Sequence, residues 1–151
     1  MSVSAREIAD TLLKRAAPAL RPGSVYDPSL TPQIDALEDA IPIRSALHLA
    51  NDDIARAHEL AQSDEGNLTS CYVHQQLHRR EGDYWNSKWW LGSGMRSVHP
   101  VCRQIHGGVS QGKAFVDACE RVGTGKSSNG LEAKQWEELK ATVEYALDKE
   151  N

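Results

Sequence analysis

No stretch of this chain is apolar for the roughly 20 consecutive residues that a membrane-spanning helix needs, which excludes an integral helical membrane protein. Cysteine is scarce. Cys71, Cys102 and Cys119 are odd in number, widely spaced and without any Cys-x-x-Cys pair, so neither a disulfide framework nor a cysteine zinc site is expected, only buried reduced thiols. Basic charge is also short, with 17 Lys and Arg against 21 Asp and Glu and a net charge of −4. No basic patch alternates with aromatics, so nucleic acid is not expected as a partner. The first twenty residues lack the apolar core of a secretory leader, because Arg6, Glu7, Asp10, Lys14 and Arg15 interrupt it. The expectation is a cytoplasmic protein that binds no membrane. No segment alternates with period two for long enough to make a strand, and no internal repeat or low-complexity tract occurs.

What remains is helical patterning over 151 residues, enough for one domain that buries roughly 70% of its unfolded surface without cross-links. The expected fold is all-α, a compact single-domain bundle (1–151) of short and medium helices. Ser4-Ala5-Arg6-Glu7 is a capping box that opens a helix through Ile8, Leu12 and Leu13 until Pro18. From Pro18 to Pro32, four prolines and a glycine predict an irregular segment lying over the surface or acting as a lid. Thr31-Pro32 predicts a short helix ending near Ile41-Pro42, and another follows over Arg44–Leu49. Asn51-Asp52-Asp53 caps a helix with Ile54, Ala57, His58 and Ala61 on one stripe. A polar connector around Gly66 leads to a helix starting near Leu68. Gly82 is placed to end it in a left-handed conformation, Asp83 to cap the next, and Gly92-Ser93-Gly94 to stop that one. Short helices are predicted after His99-Pro100 and over Ala114–Val122, then a loop from Gly123 to Gly130. Leu131, Trp136, Leu139, Val143 and Leu147 mark the last helix.

The densest stretch is His74 to Trp90, HQQLHRREGDYWNSKWW, which holds two histidines, a charge cluster and four aromatics. His74 and His78 lie one helical turn apart on one face. If the chain turns back at Gly66, His58 stands level with His74 and within about a turn of His78, so three imidazoles converge. Neutral imidazoles suit a divalent transition metal such as zinc, iron, nickel or copper, and three ligands with an open position suit catalysis. Glu81, seven after His74, is then a candidate general base or fourth ligand. Arg79 is a candidate for holding a substrate carboxylate or phosphate. Asp83, Trp85 and Asn86 complete the candidate contacts to a small-molecule substrate. Two other readings stand beside this one. The imidazoles can be core groups satisfied by carboxylates in a metal-free ligand-binding or interaction protein, since Val73 and Leu77 are neighbours. They can also serve a metal-free acid/base enzyme. His48 falls beyond the hairpin's reach, and His99 and His106 read as capping or surface residues. Trp85, Trp89 and Trp90 read as core and pocket wall.

The blocks His48–Ser63 and His74–Trp90, with His99-Pro100-Val101, resemble a family of short uncharacterised helical proteins from fungi and bacteria. In that family Asn-Asp-Asp, Ala-His, His-x-x-x-His-Arg-Arg-Glu and Asp-Tyr-x-Asn elements occur together. The resemblance covers the middle third of the chain and departs at Val73, where the family tends to an aromatic. It implies a site at this block and no particular activity. A looser similarity is to helical bundles in which one helix supplies a histidine and another a His-x-x-x-His pair to one metal. Gly125-Lys126-Ser127 imitates the end of a nucleotide-binding loop, but that pattern needs glycine where Glu120 stands, and no strand precedes it.

Overall fold

A computed structural model describes residues 3–123 and 130–151. All regular structure among them is helical, as the patterning predicts. The capping box forms at the start of α1 (Ala5–Leu12), where Ser4 Oγ accepts from Glu7 N–H at 3.1 Å and Glu7 returns a carboxylate oxygen to Ser4 N–H. The next helix, α2 (Leu30–Asp35), starts before Thr31 and ends well short of Ile41-Pro42. Those two residues instead open α3 (Ile41–Ala50), whose expected start was Arg44, because proline fits the first turn where its missing N–H has no partner to lose.

Asp53 caps α4 (Ile54–Gln62) through Arg56 N–H at 3.2 Å, and Asn67 caps α5 (Leu68–Glu81) through Ser70 N–H at 2.9 Å. Gly82, at φ 86°, ends α5 in the left-handed region, and Asp83 caps α6 (Tyr84–Trp89) through Asn86 N–H. The chain then continues into a π-helical turn, Trp90–Gly94, which takes in the Gly92-Ser93-Gly94 expected to stop the helix and ends at the extended Met95. His99 caps α7 (Pro100–Ile105). Helix α8 (Val109–Val122) begins a turn earlier than expected, and α9 (Leu131–Lys149) follows. The interior of the 123–130 loop and the Gly125-Lys126-Ser127 imitation lie outside the described residues.

The element that positions everything else is α5, buried at every residue from Thr69 to Arg80 although most of its side chains are polar. Val73 and Leu77 enter the main core with α1, α3, α4 and α9, built from Ile8, Leu12, Ile43, Leu47, Leu139 and Val143 among others. On another side Cys71 and Tyr72 pack with Leu91, Val101, Cys102 and Val116. All three cysteines are buried and unpaired with one another. A polar group loses several hydrogen bonds to water on burial, so each polar residue of α5 needs a partner inside.

The 18–32 segment is fastened rather than loose. Leu20 packs with Phe115 and Cys119, and its carbonyl accepts from Gln135 at 3.1 Å. Farther on, Asn51 brackets Asp27 with two hydrogen bonds of 3.0 Å, and the Arg15 guanidinium covers the Tyr26 ring at 3.7 Å. Between these anchors, Arg21 to Gly23 lies beside the C-terminal end of α5.

Candidate metal centre

Helices α4 and α5 run back to back after the turn at Gly66, and the fully buried Ala57 and Ala61 leave room for close approach. The expected register follows. Ring centroids of His58, His74 and His78 stand 4.9, 5.4 and 4.8 Å apart, and one nitrogen from each lies within 4.8 Å of the others. A tetrahedral ion bound at about 2.0–2.1 Å sets its nitrogen ligands about 3.4 Å apart, so the rings need to close by roughly an ångström.

His74 is the core of the cluster. It is 3% exposed, its Nδ1 is buried with no partner, and it makes no hydrogen bond to any described residue. Burial, then the neighbouring His78 and His58, hold its pKa down at about 3, so the ring is neutral and keeps a lone pair. Trp90 stacks on it with centroids 4.1 Å apart and planes 21° from parallel. His48 and His106 also leave Nδ1 unpaired, but each places its other nitrogen 2.9 Å from a carboxylate, Asp35 and Glu138 respectively. His74 alone among these has neither nitrogen bonded.

His78 is oriented from its other side. Its Nδ1 lies 2.6 Å from Glu81 Oε2 and 3.9 Å from Asp83 Oδ2. A carboxylate on one imidazole nitrogen fixes the tautomer and leaves the second nitrogen as a lone-pair donor, the usual support for a metal-ligating histidine. Asn86 Nδ2 in turn donates to Asp83 at 2.6 Å. His78, Glu81 and Asp83 also form a second compact donor group, sharing His78 with the first. The partly exposed His58 lines an open groove of about 590 Å³ together with Glu81 and Ile54.

Three expectations need correction. Arg79 is not beside the histidines: its guanidinium is 1% exposed and bonds Glu138, Gln135 and Gln75, on the side of α5 that faces α9. Successive helix positions differ by about 100°, so a residue next to His78 in sequence points elsewhere in space. Trp85 is 71% exposed and Trp89 42%, so neither is core, while Trp90 alone forms wall. His106 is no surface residue, since its side chain is buried against Glu138 and Phe115. His99 does cap a helix, but from full burial, stacked on Tyr72 at 4.7 Å. Its Nδ1 accepts from Val101 N–H at 3.0 Å, so Nε2 carries the proton to Thr69 Oγ1 at 2.9 Å. Burial keeps its pKa near 4.

Sequence reasoning missed Glu138, which receives Arg79, His106 and Tyr72 in one buried network. Burial alone would raise its pKa, but Arg79 and then His106 bring it to about 2. A signal was present: Gln135, Glu138 and Thr142 form a polar stripe on α9 at the same spacing as Tyr72, Gln75 and Arg79 on α5. Arg80 faces a third way, onto Leu49 O and Asp52, each at 2.7 Å, and Arg15 shares Asp52 at 2.8 Å.

The fold and site therefore define an all-α protein with a candidate three-histidine centre between antiparallel helices. Comparison with protein-family models, curated proteins and solved structures yields no match, so the chemistry rests on geometry alone. No described helix is long and apolar enough to cross a membrane.

Proposed function

We propose that the protein binds one divalent transition metal through His58, His74 and His78 and uses it on a small molecule admitted by the groove at His58. The observation that carries this reading is His74: a buried imidazole with no hydrogen-bond partner, facing two others, is an energetic liability unless something accepts its lone pair. Zinc, iron(II), nickel and copper(II) all accept neutral imidazole. A bound ion would supply Lewis acidity, activating water or polarising a substrate oxygen. Glu81 has two tasks at this site: it orients His78 through Nδ1, and its half-exposed carboxylate lines the groove, where it can take a proton from the reacting group. Asp83, held by Asn86, stands behind it as a second acceptor.

A metal-free reading is favoured by one contact, the Trp90 stack, which uses His74 as a flat packing surface. Elemental analysis of protein purified without a histidine tag or chelator separates the two. The proposal expects near one equivalent of a transition metal, or stoichiometric uptake on titration. Less than about a tenth of an equivalent, with none taken up, overturns it.

A further inference from the structure

The groove beside His58 carries a cation that its surroundings leave uncompensated. Arg21, Pro22 and Gly23 form one wall, Ile54 and Ala55 another, and His58 and Glu81 stand at the end toward the histidine cluster. Two arginines border it and differ in what they have left to offer. The buried Arg80 has its terminal nitrogens committed to Leu49 O and Asp52. Arg21 is exposed, and its one hydrogen bond to a described residue runs from Nη2 to Glu81 O at 3.3 Å. No described carboxylate lies within ion-pair distance of it. The Glu81 carboxylate is engaged by His78.

Arg21 nonetheless has a defined resting place. Its guanidinium lies across the bare backbone of Gly82, so close that a β-carbon there would stand 2.6 Å from Cζ. The C-terminal end of α5 supplies partial negative charge at that point. A helix end attracts an arginine without cancelling its full charge, and most of the five N–H donors of Arg21 have no partner among the described residues.

We propose that Arg21 is an anion subsite of this groove, which takes a small monocarboxylate: the carboxylate on the guanidinium fork, the apolar body against Ile54, Ala55 and Pro22. The far end of the ligand then points to His58. That orientation rests on the metal reading above, whereas the subsite itself is testable without metal. Arg21 takes the role that the spacing in sequence assigned to Arg79.

Butyrate is the probe, titrated into chelator-treated full-length protein while amide chemical shifts are followed, with butylamine as the control that keeps the body and inverts the charge. Butyrate is expected to saturate shifts at Gly23, Ala55 and His58, and butylamine to leave them. Arg21→Ala is expected to weaken butyrate binding about tenfold or more, with Arg21→Lys in between because it keeps charge and loses the fork. Zinc uptake is measured on the same samples and is expected to be the same in wild type and Arg21→Ala. Equal butyrate affinity in wild type and Arg21→Ala, or no butyrate binding to wild type, overturns the subsite. Failure of every sample to take up zinc, with the butyrate difference intact, overturns the metal reading alone.

Discussion

Helix α5 presents two polar faces to the interior, and they are built on opposite terms. Toward α9, Arg79, Gln75 and Tyr72 meet Glu138, Gln135 and His106 in a set in which the two charges cancel and both carboxylate oxygens of Glu138 are bonded, with His106 Nδ1 left over. Toward α4, three imidazoles approach one another without a hydrogen bond between them, and among the described residues only His78 has a hydrogen-bond partner. A buried network whose charges are paired specifies packing and needs no further counter-charge. A buried cluster of lone pairs left open asks for a ligand. Polarity is shared by the two faces, so charge pairing on one against open imidazole nitrogens on the other is what separates them, and the proposed metal site rests on that difference.

The largest expected effect falls on the charge-paired face. Glu138→Ala strands Arg79 in the interior, and breaking one partner of a buried pair costs about 3–5 kcal/mol. Denaturant unfolding should show the same loss with chelator and with zinc. A loss below about 1 kcal/mol would mean that water reaches Arg79 and that the network is not closed.

Acid should act on both faces, since the pKa of His74 is held to about 3 on one and that of His99, stacked on Tyr72, to near 4 on the other. His99 titrates near 4 folded against about 6.5 unfolded, so its contribution is whole above pH 6.5 and fades as pH falls toward 4. Glu138, near 2 folded against 4.5 in its reference state, extends the loss below that. On the order of 3 kcal/mol should disappear from His99 between pH 6.5 and 4. His99→Gln, which keeps a hydrogen-bonding amide without the imidazole, should flatten that part of a stability-against-pH curve; an unchanged slope would remove His99 as its source.

On the open face the sign of the comparison reverses. Zinc at 100 times its dissociation constant should stabilise wild type by about 2.7 kcal/mol. His78→Ala should abolish that increment while changing the chelated protein by less than about 1 kcal/mol, since its contact with a described carboxylate is to the part-exposed Glu81, which water can solvate in its place. A loss of roughly 2–4 kcal/mol that is equal with and without zinc would assign His78 to the core and merge the two faces into one kind.

Gly82→Ala should cost least, about 1 kcal/mol, because φ 86° strains any residue with a β-carbon. Most of that is backbone, since the crowded Arg21 end is free to swing aside. A melting temperature at or above that of wild type would show that the end of α5 tolerates a helical continuation.

Much of this architecture is legible along the chain because caps act within a few residues. Ser4, Asp53, Asn67, Asp83 and His99 sit next to the N–H groups they receive, so local sequence suffices to place the helix starts. The boundary errors have local causes too. Proline at position 42 is equally at home after one helix or within the first turn of the next, and the flank of Gly92 stays helical because a π-turn absorbs the extra residue. The histidine centre was readable because its two helices are joined by a short turn, which makes distance in space a count of residues.

The sequence by itself determined that His58, His74 and His78 share one interior seam, since helical period and hairpin register leave them nowhere else to meet. Only the tertiary structure decided what the neighbouring arginines do. Arg79 pairs with Glu138, Arg80 with Asp52, and Arg21, with no carboxylate partner among the described residues, donates to Glu81 O. Those partners lie 28 to 60 positions away along the chain. Periodicity states which residues of one helix point the same way, but not what the packing of other helices brings to face them. For a buried charge, that opposing partner decides whether it is structure or site.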